Sequence, residues 1–260
     1  MYLAELRFKI IADTNLTAAE HAIRSYLEAL IFNGQVIGRE FPTAWQQDAF
    51  TSRVVIPAED ALQKKWHSSK GLQAQQHLGA AGLAYPQLQL LGPDLLSQAS
   101  CSQMPEQLLL FTSFADTCSP VRCADTLQPV PLYWLTPANI DHEALIRWQL
   151  QFQALDEIQL QEQRVLQKVA ENSLQQLNSK LNRMGRQLAR QLSKTNNIQV
   201  YYALYSGSSK NCSKEAEKRC PSCGAYWKLA LPKAELFDFC CEPCLLLSNI
   251  AWECQSNSGE

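Results

Sequence analysis

An α+β fold in three parts is predicted by three features of this 260-residue sequence. Apolar residues near the N-terminus alternate along strand-like runs around one strongly helical segment. Helix formers fill a proline-free stretch between Pro137 and Pro221, and two Cys-x2-Cys pairs stand near the C-terminus. The expected organisation is an α+β unit at 1–92, a turn-rich segment with long amphipathic helices and a strand at 93–205, a Ser/Gly/Lys linker at 206–217 and a zinc ribbon at 218–254.

Leu6, Phe8 and Ile10 alternate through residues 2–11, the period of a half-buried strand. Thr17 with Glu20 three positions on forms a capping-box pattern. Ala22, Ile23, Tyr26, Leu27, Leu30 and Ile31 then recur at helical spacing until Asn33-Gly34 ends the run. Residues 36–41 read as a short strand stopped by Pro42, and 49–56, ending in Val54-Val55-Ile56, as the next. Pro57-Ala58-Glu59-Asp60 opens a second helix, and residues 83–91, with Pro86, form an edge strand. The order βαββαβ is that of a ferredoxin-like unit. Prolines at 93, 105, 120, 129, 131 and 137 punctuate the next segment, which is expected to pack on the first unit. Residues 141–194 supply one or two long helices closed by Thr195-Asn196-Asn197, and residues 200–205 a strand.

Composition excludes several classes. With 46% apolar and 18% charged residues the chain has a real core to bury, so it is not a disordered protein. A net charge of −2 means that any affinity for a polyanion must come from a local patch. No run of eighteen apolar residues occurs, and Glu5, Arg7 and Lys9 interrupt the place of a secretory signal, so the expectation is a cytoplasmic protein off the membrane.

Five of the ten cysteines crowd into positions 220–244, unlike the spread staples of a disulfide framework. Cys220-Pro221-Ser222-Cys223-Gly224 offers two thiolates from one tight turn, and Cys241-Glu242-Pro243-Cys244 a matching pair. Seventeen residues separate them, the spacing of a tetrahedral four-sulfur site. One structural zinc ion held by Cys220, Cys223, Cys241 and Cys244 is the expected cofactor. Cys240 in place of Cys241 is the alternative ligand set, and a redox dithiol the rival chemistry. Cys101, Cys118, Cys123, Cys212 and Cys254 are expected as free thiols, though Cys101, Cys118 and Cys123 with His142 or Asp125 could make a second metal site.

Arg164, Lys168, Lys180, Arg183, Arg186, Arg190 and Lys194 project to one helix face, with Leu166, Leu174, Leu177, Leu181, Met184, Leu188 and Leu192 opposite. Seven basic residues against Glu171 alone leave this segment at +6, a candidate phosphate-tracking surface for DNA or RNA. A solvated face paired with acids elsewhere is the plainer reading. Residues 218–260 carry four basic and five acidic residues, so the ribbon suits a protein partner equally, with Trp227 and Trp252 as its expected exposed anchors. His21, His67, His77 and His142 match no catalytic metal box, and no phosphate loop or nucleophile elbow occurs. A non-enzymatic role is favoured. An enzyme with a pocket between the N-terminal sheet and the long helix is the remaining alternative.

The ribbon motifs, with Phe237-Asp238-Phe239, Leu246-Leu247-Ser248-Asn249, Tyr201-Tyr202-Ala203-Leu204-Tyr205, Ser119-Pro120-Val121-Arg122-Cys123 and Pro129-Val130-Pro131-Leu132-Tyr133, carry a near full-length resemblance. The chain resembles a family of uncharacterised bacterial proteins described as zinc-ribbon-containing candidate nucleic-acid binders. The resemblance implies the same four ligands. Where relatives can hold a Cys-x2-Cys, this chain reads Cys123-Ala124-Asp125-Thr126, which weakens a second metal site.

Overall fold

A computed structural model describes residues 1–38, 41–137, 141–161 and 164–256. It is a mixed α+β structure of two compact units. The first gathers Met1–Met104, Thr117–Ser119 and Gln128–Glu143; the second gathers Pro105–Asp116, Pro120–Leu127 and the chain from Ala144 onward.

In the first unit, β1 (Tyr2–Lys9) lies between β3 (Ala49–Ile56) and β4 (Gln87–Pro93), antiparallel to both, and β2 (Thr43–Gln46) pairs outside β3. The alternation of β1 buries Ala4, Leu6 and Phe8 and leaves Arg7 and Lys9 in solvent. The helices α1 (Leu16–Phe32) and α2 (Ser69–Ala80) pack on one another, and Phe8 meets Tyr26 edge to face, centroids 6.2 Å apart. The element order is thus β1-α1-β2-β3-α2-β4, with sheet order β2-β3-β1-β4. The edge strand expected at 83–91 is β4, shifted to 87–93, with Pro86 before it and Leu83 in an isolated bridge to Ile10.

Three local expectations are corrected. The cap of α1 is Asn15, whose side chain accepts the Ala18 amide at 2.8 Å, so Thr17 lies inside the helix. The strand expected at 36–41, of which residues 39–40 lie outside the described residues, yields only a single bridge from Ile37 to Val55. Beyond Gly34, whose φ of +73° ends the helix, buried Gln35 holds the chain through side-chain bonds to Ala61 and Asn33 rather than through a ladder. The helix expected from Pro57 begins at Ser69, capped by Ser68; residues 57–63 instead turn, with Asp60 accepting the Trp66 indole N–H at 3.0 Å.

In the second unit the expected one or two helices are three: α3 (Glu143–Leu160), α4 (Arg164–Gln175) and α5 (Lys180–Asn196). Ser179 breaks the run between α4 and α5, its hydroxyl accepting the Asn182 amide at 3.1 Å. A six-stranded sheet runs β6 (Val121–Cys123), β5 (Gln107–Leu110), β7 (Gln199–Leu204), β10 (Leu246–Ser248), β9 (Phe237–Cys241), β8 (Lys228–Lys233). Strand β7 is parallel to both β5 and β10 and covered on both faces, which explains its unbroken Val-Tyr-Tyr-Ala-Leu run. Tyr201 joins Leu109, Ala203, Phe237 and Leu247 in one core, while Tyr202 meets Trp148 of α3.

Asn182 ties this unit together. It is fully buried, donates to the Leu174 and Gln176 carbonyls at 2.7 and 2.8 Å, and accepts the Tyr202 hydroxyl at 2.6 Å. Asn182→Ala strands all three partners in the core, an expected loss of about 3 kcal/mol at one to three per orphaned group. Urea unfolding measures it, and Tyr202→Phe in the Asn182→Ala background should cost less than in the wild type.

Candidate metal centre

The centre is built from two turns of the same design. In the first, the Gly224 amide returns to the Cys220 carbonyl at 2.8 Å and the Cys220 amide donates to Ala225 at 2.9 Å. Gly224 takes φ +75°, a conformation open to glycine without cost. In the second, Glu242–Cys244 form a 3-10 turn with Pro243 inside it, and Leu245 takes the corresponding left-handed position at φ 51°. A leucine there is tolerated because its side chain packs on the core around Tyr201 and Leu247.

The sheet positions both turns. Cys241 ends β9, and β10, which begins one residue after Leu245, is locked between β9 and β7. The first turn is held by Trp227, whose carbonyl accepts the Cys240 amide at 2.8 Å and whose indole donates to Lys218 at 3.0 Å. Trp227 is buried against Phe239, centroids 5.2 Å apart. This corrects the expectation of an exposed anchor; Trp252, in α6 (Trp252–Ser256), is the exposed one. Lys218 fixes the entry to the turn, donating to Glu215 at 2.6 Å and to Ser206 at 3.0 Å.

The sulfur atoms of Cys220, Cys223, Cys241 and Cys244 all lie within 4.8 Å of one another, Cys223 and Cys241 at 3.6 Å. A tetrahedron with metal–sulfur bonds of about 2.3 Å has edges of about 3.8 Å, so the donor set fits one ion. Cys220 and Cys241 are buried and Cys223 is exposed. The Ala225 amide, bonded to the Cys223 sulfur, brings that thiol down to about 7, whereas burial pushes Cys220 and Cys241 up. Four thiolates can share this space only with a cation among them, so acid should release the ion as protons take its place. Cys240 stands outside the quartet, its thiol directed to Glu242 at 3.4 Å, and Tyr201 donates to the same carboxylate.

Among the described residues this is the one group of three or more metal-ligating side chains drawn together. Cys101, Cys118 and Cys123 belong to no such group among the described residues. Cys101 faces the Gln128 carbonyl, Asp125 pairs with Lys233 at 3.1 Å, and His142 is buried, its imidazole pushed down to about 4 by desolvation. Cys212 and Cys254, expected as free thiols, form a disulfide with Cα atoms 5.2 Å apart. Residues 252 and 253 donate back to the Ser206 and Gly207 carbonyls, and the disulfide ties α6 to residue 212, closing a covalent loop that contains all four cysteines of the quartet.

The basic residues divide between two helices. Lys180, Arg183, Arg190 and Lys194 are exposed along one side of α5, and Lys168 is exposed on α4. Arg186 is half-buried and donates to the Leu177 carbonyl at 3.1 Å; the Arg164 side chain lies outside the described residues. Leu166, expected on the buried face, is exposed beside Val165 and Val169, because α4 buries only Ala170 and Leu174. No described helix is long and apolar enough to cross a membrane.

Residues 1–92, 102–205 and 207–254 match three families, described as Domain of unknown function (DUF8589), Domain of unknown function (DUF2310) and Domain of unknown function (DUF8594). An uncharacterized protein of Haemophilus influenzae (strain ATCC 51907 / DSM 11121 / KW20 / Rd) is 31% identical over 264 residues, covering 97% of this chain and 99% of its own length. A second uncharacterized protein of that strain is 33% identical over 178 residues, 66% of this chain and 85% of its own. These descriptions name no metal, ligand or reaction, and the relationship they establish is one of descent: the chain belongs to the family of the full-length Haemophilus influenzae relative.

Proposed function

We propose that the quartet holds one structural zinc ion and that the protein is a non-enzymatic nucleic-acid-binding protein whose contact is the outer side of α5. The observation that carries this reading is the helix itself. Lys180, Arg183, Arg190 and Lys194 share an exposed side and make no ion pair among the described residues, while Leu181, Asn182, Gly185, Ala189 and Leu192 are buried opposite. A solvated face matched by acids nearby would have shown such pairs. Zinc is supported by the all-sulfur, closed donor set, which suits a borderline-soft ion and leaves no open position for catalysis. The reading includes a ferredoxin-like N-terminal unit, supported by its element and strand order, and the division into 1–92, 93–205, 206–217 and 218–254. It also includes a cytoplasmic setting, which the thiolate cluster favours and the Cys212–Cys254 disulfide weighs against.

Fluorescence anisotropy with labelled single-stranded and duplex DNA and RNA tests it. Four phosphate contacts predict a slope of log K against log salt of about −3 to −4. Reversing Arg183, Arg190 and Lys194 to Glu should abolish binding with metal content unchanged; Arg186 is spared because it ties down the α4–α5 turn. No binding to any of the four probes at about 50 mM salt would end the proposal. A protein contact through the ribbon is the second reading, favoured by exposed Tyr226 and Leu231.

A further inference from the structure

We propose that the second unit carries a binding site for a small organic cation, an ammonium with an apolar body, in the cavity beside the end of β7. The cavity measures about 620 Å³, within the range of small-molecule sites, and all of its described lining belongs to this one unit. Phe111, Phe114, Phe152, Tyr205 and Trp252 present aromatic surface to it. The wall is braced, since Phe111 meets Phe237 edge to face at 5.6 Å.

Three carboxylates share that aromatic space: Asp156 from α3, Glu171 from α4 and Glu253 from α6. No lysine, arginine or histidine is among the described lining residues. Asp156 is 5% exposed and is held by the Phe114 amide at 2.8 Å and Gln159 at 3.4 Å, which fixes it in place and leaves carboxylate lone pairs to spare. The Tyr205 hydroxyl and a Glu171 carboxylate oxygen converge over Gly207, lying 2.9 and 3.1 Å from the point a β-carbon there would occupy. Burial, then the Asp156 and Glu171 charges, hold the Tyr205 phenol in its protonated form.

Aromatic faces and carboxylates both create negative potential, and that of buried Asp156 is screened less than it would be in water, while Glu171 is half-buried and Glu253 stands exposed at the mouth. A cation gains from both sources, a neutral apolar molecule gains burial alone, and an anion is repelled. The three acids do not come together as a metal-ligating group, so a bare metal ion is not the ligand. The apolar walls call for carbon around the charge.

Calorimetric titration of the full-length, metal-loaded chain with benzyltrimethylammonium, 2-phenylethanol and phenylacetate tests the site. The cation should bind at least about tenfold more tightly than the alcohol, and phenylacetate should not bind. Glu171→Gln should remove most of the cation's advantage and leave the alcohol unchanged. Asp156→Asn keeps the acceptor for the Phe114 amide and should act in the same direction; if it fails to fold, Glu171→Gln alone decides. Equal affinities for cation and alcohol, no cation binding at about 10 mM, or an undiminished preference in Glu171→Gln would overturn the proposal. Nucleic-acid binding by α5 stands or falls separately, because none of its basic residues lines the cavity.

Discussion

Cys241→Ser should lose the proposed metal and open the tail to protease while the rest of the second unit stays folded. A serine hydroxyl is not ionised near neutrality and cannot replace the thiolate, so one lost ligand empties the site. Structural zinc supplies roughly 10 kcal/mol or more to modules of this size. Against that, the 220–241 segment buries only a few large side chains of its own, Trp227, Phe237 and Phe239 foremost. Trypsin should then cut at Arg219, Lys228 and Lys233, which the proposed zinc ion should protect in the wild type. Cys240→Ser is the control and should change neither metal content nor cleavage, because Cys240 lies outside the quartet. The Cys212–Cys254 disulfide adds a second readout. It closes a loop of 42 residues' separation, a constraint of about 4 kcal/mol on the unfolded chain. The C-terminal tryptic fragment should therefore stay attached on a non-reducing gel and separate once reductant is added.

Gly185→Ala should lower the stability of the second unit by about 2 kcal/mol, against the direction helix propensity would give. Alanine is favoured over glycine inside a helix by about 1 kcal/mol. Here, however, a β-carbon would sit 2.3 Å from a Tyr202 ring carbon and 2.7 Å from the Trp148 indole nitrogen. Both rings are fully buried, so neither can swing aside, and overpacking of this kind costs about 1–3 kcal/mol or more. The steric effect wins. Gly79→Ala in α2 is the counterpart: nothing lies within 4 Å of its β-carbon position, so propensity should act alone and raise the stability of the first unit. Denaturant unfolding of both variants measures the opposite signs.

What could be read from the chain was what local chemistry fixes. Residues 49–56 pair as expected because β-branched Val54, Val55 and Ile56 have few other uses, and the cysteine spacing located the four-cysteine cluster because two tight turns need no distant help. Capping was harder. Thr17 and Glu20 made a plausible box, but Asn15 stands where the chain turns from β1, and only the turn decides which residue caps. The strand assigned to 36–41 failed because Gln35 found partners at Ala61 and His67, a contact invisible along the sequence. The basic residues read on one helix face fall on two helices, since a Ser179 cap overrode a window of good helix formers. Trp227 was missed because it is buried by Phe239, twelve residues on across the β8–β9 hairpin. Cys212 with Cys254 and the aromatic cavity were missed for another reason. Each depends on β10 pairing with β7 across 44 residues, and a three-residue strand leaves no periodic trace.

The most direct test of the metal centre is native mass spectrometry with elemental analysis of the full chain, purified without chelator. The account predicts one zinc per chain, retained in Cys240→Ser and absent from the Cys220→Ser/Cys223→Ser double variant. A wild-type chain without stoichiometric metal, or a double variant that keeps it, would contradict the account.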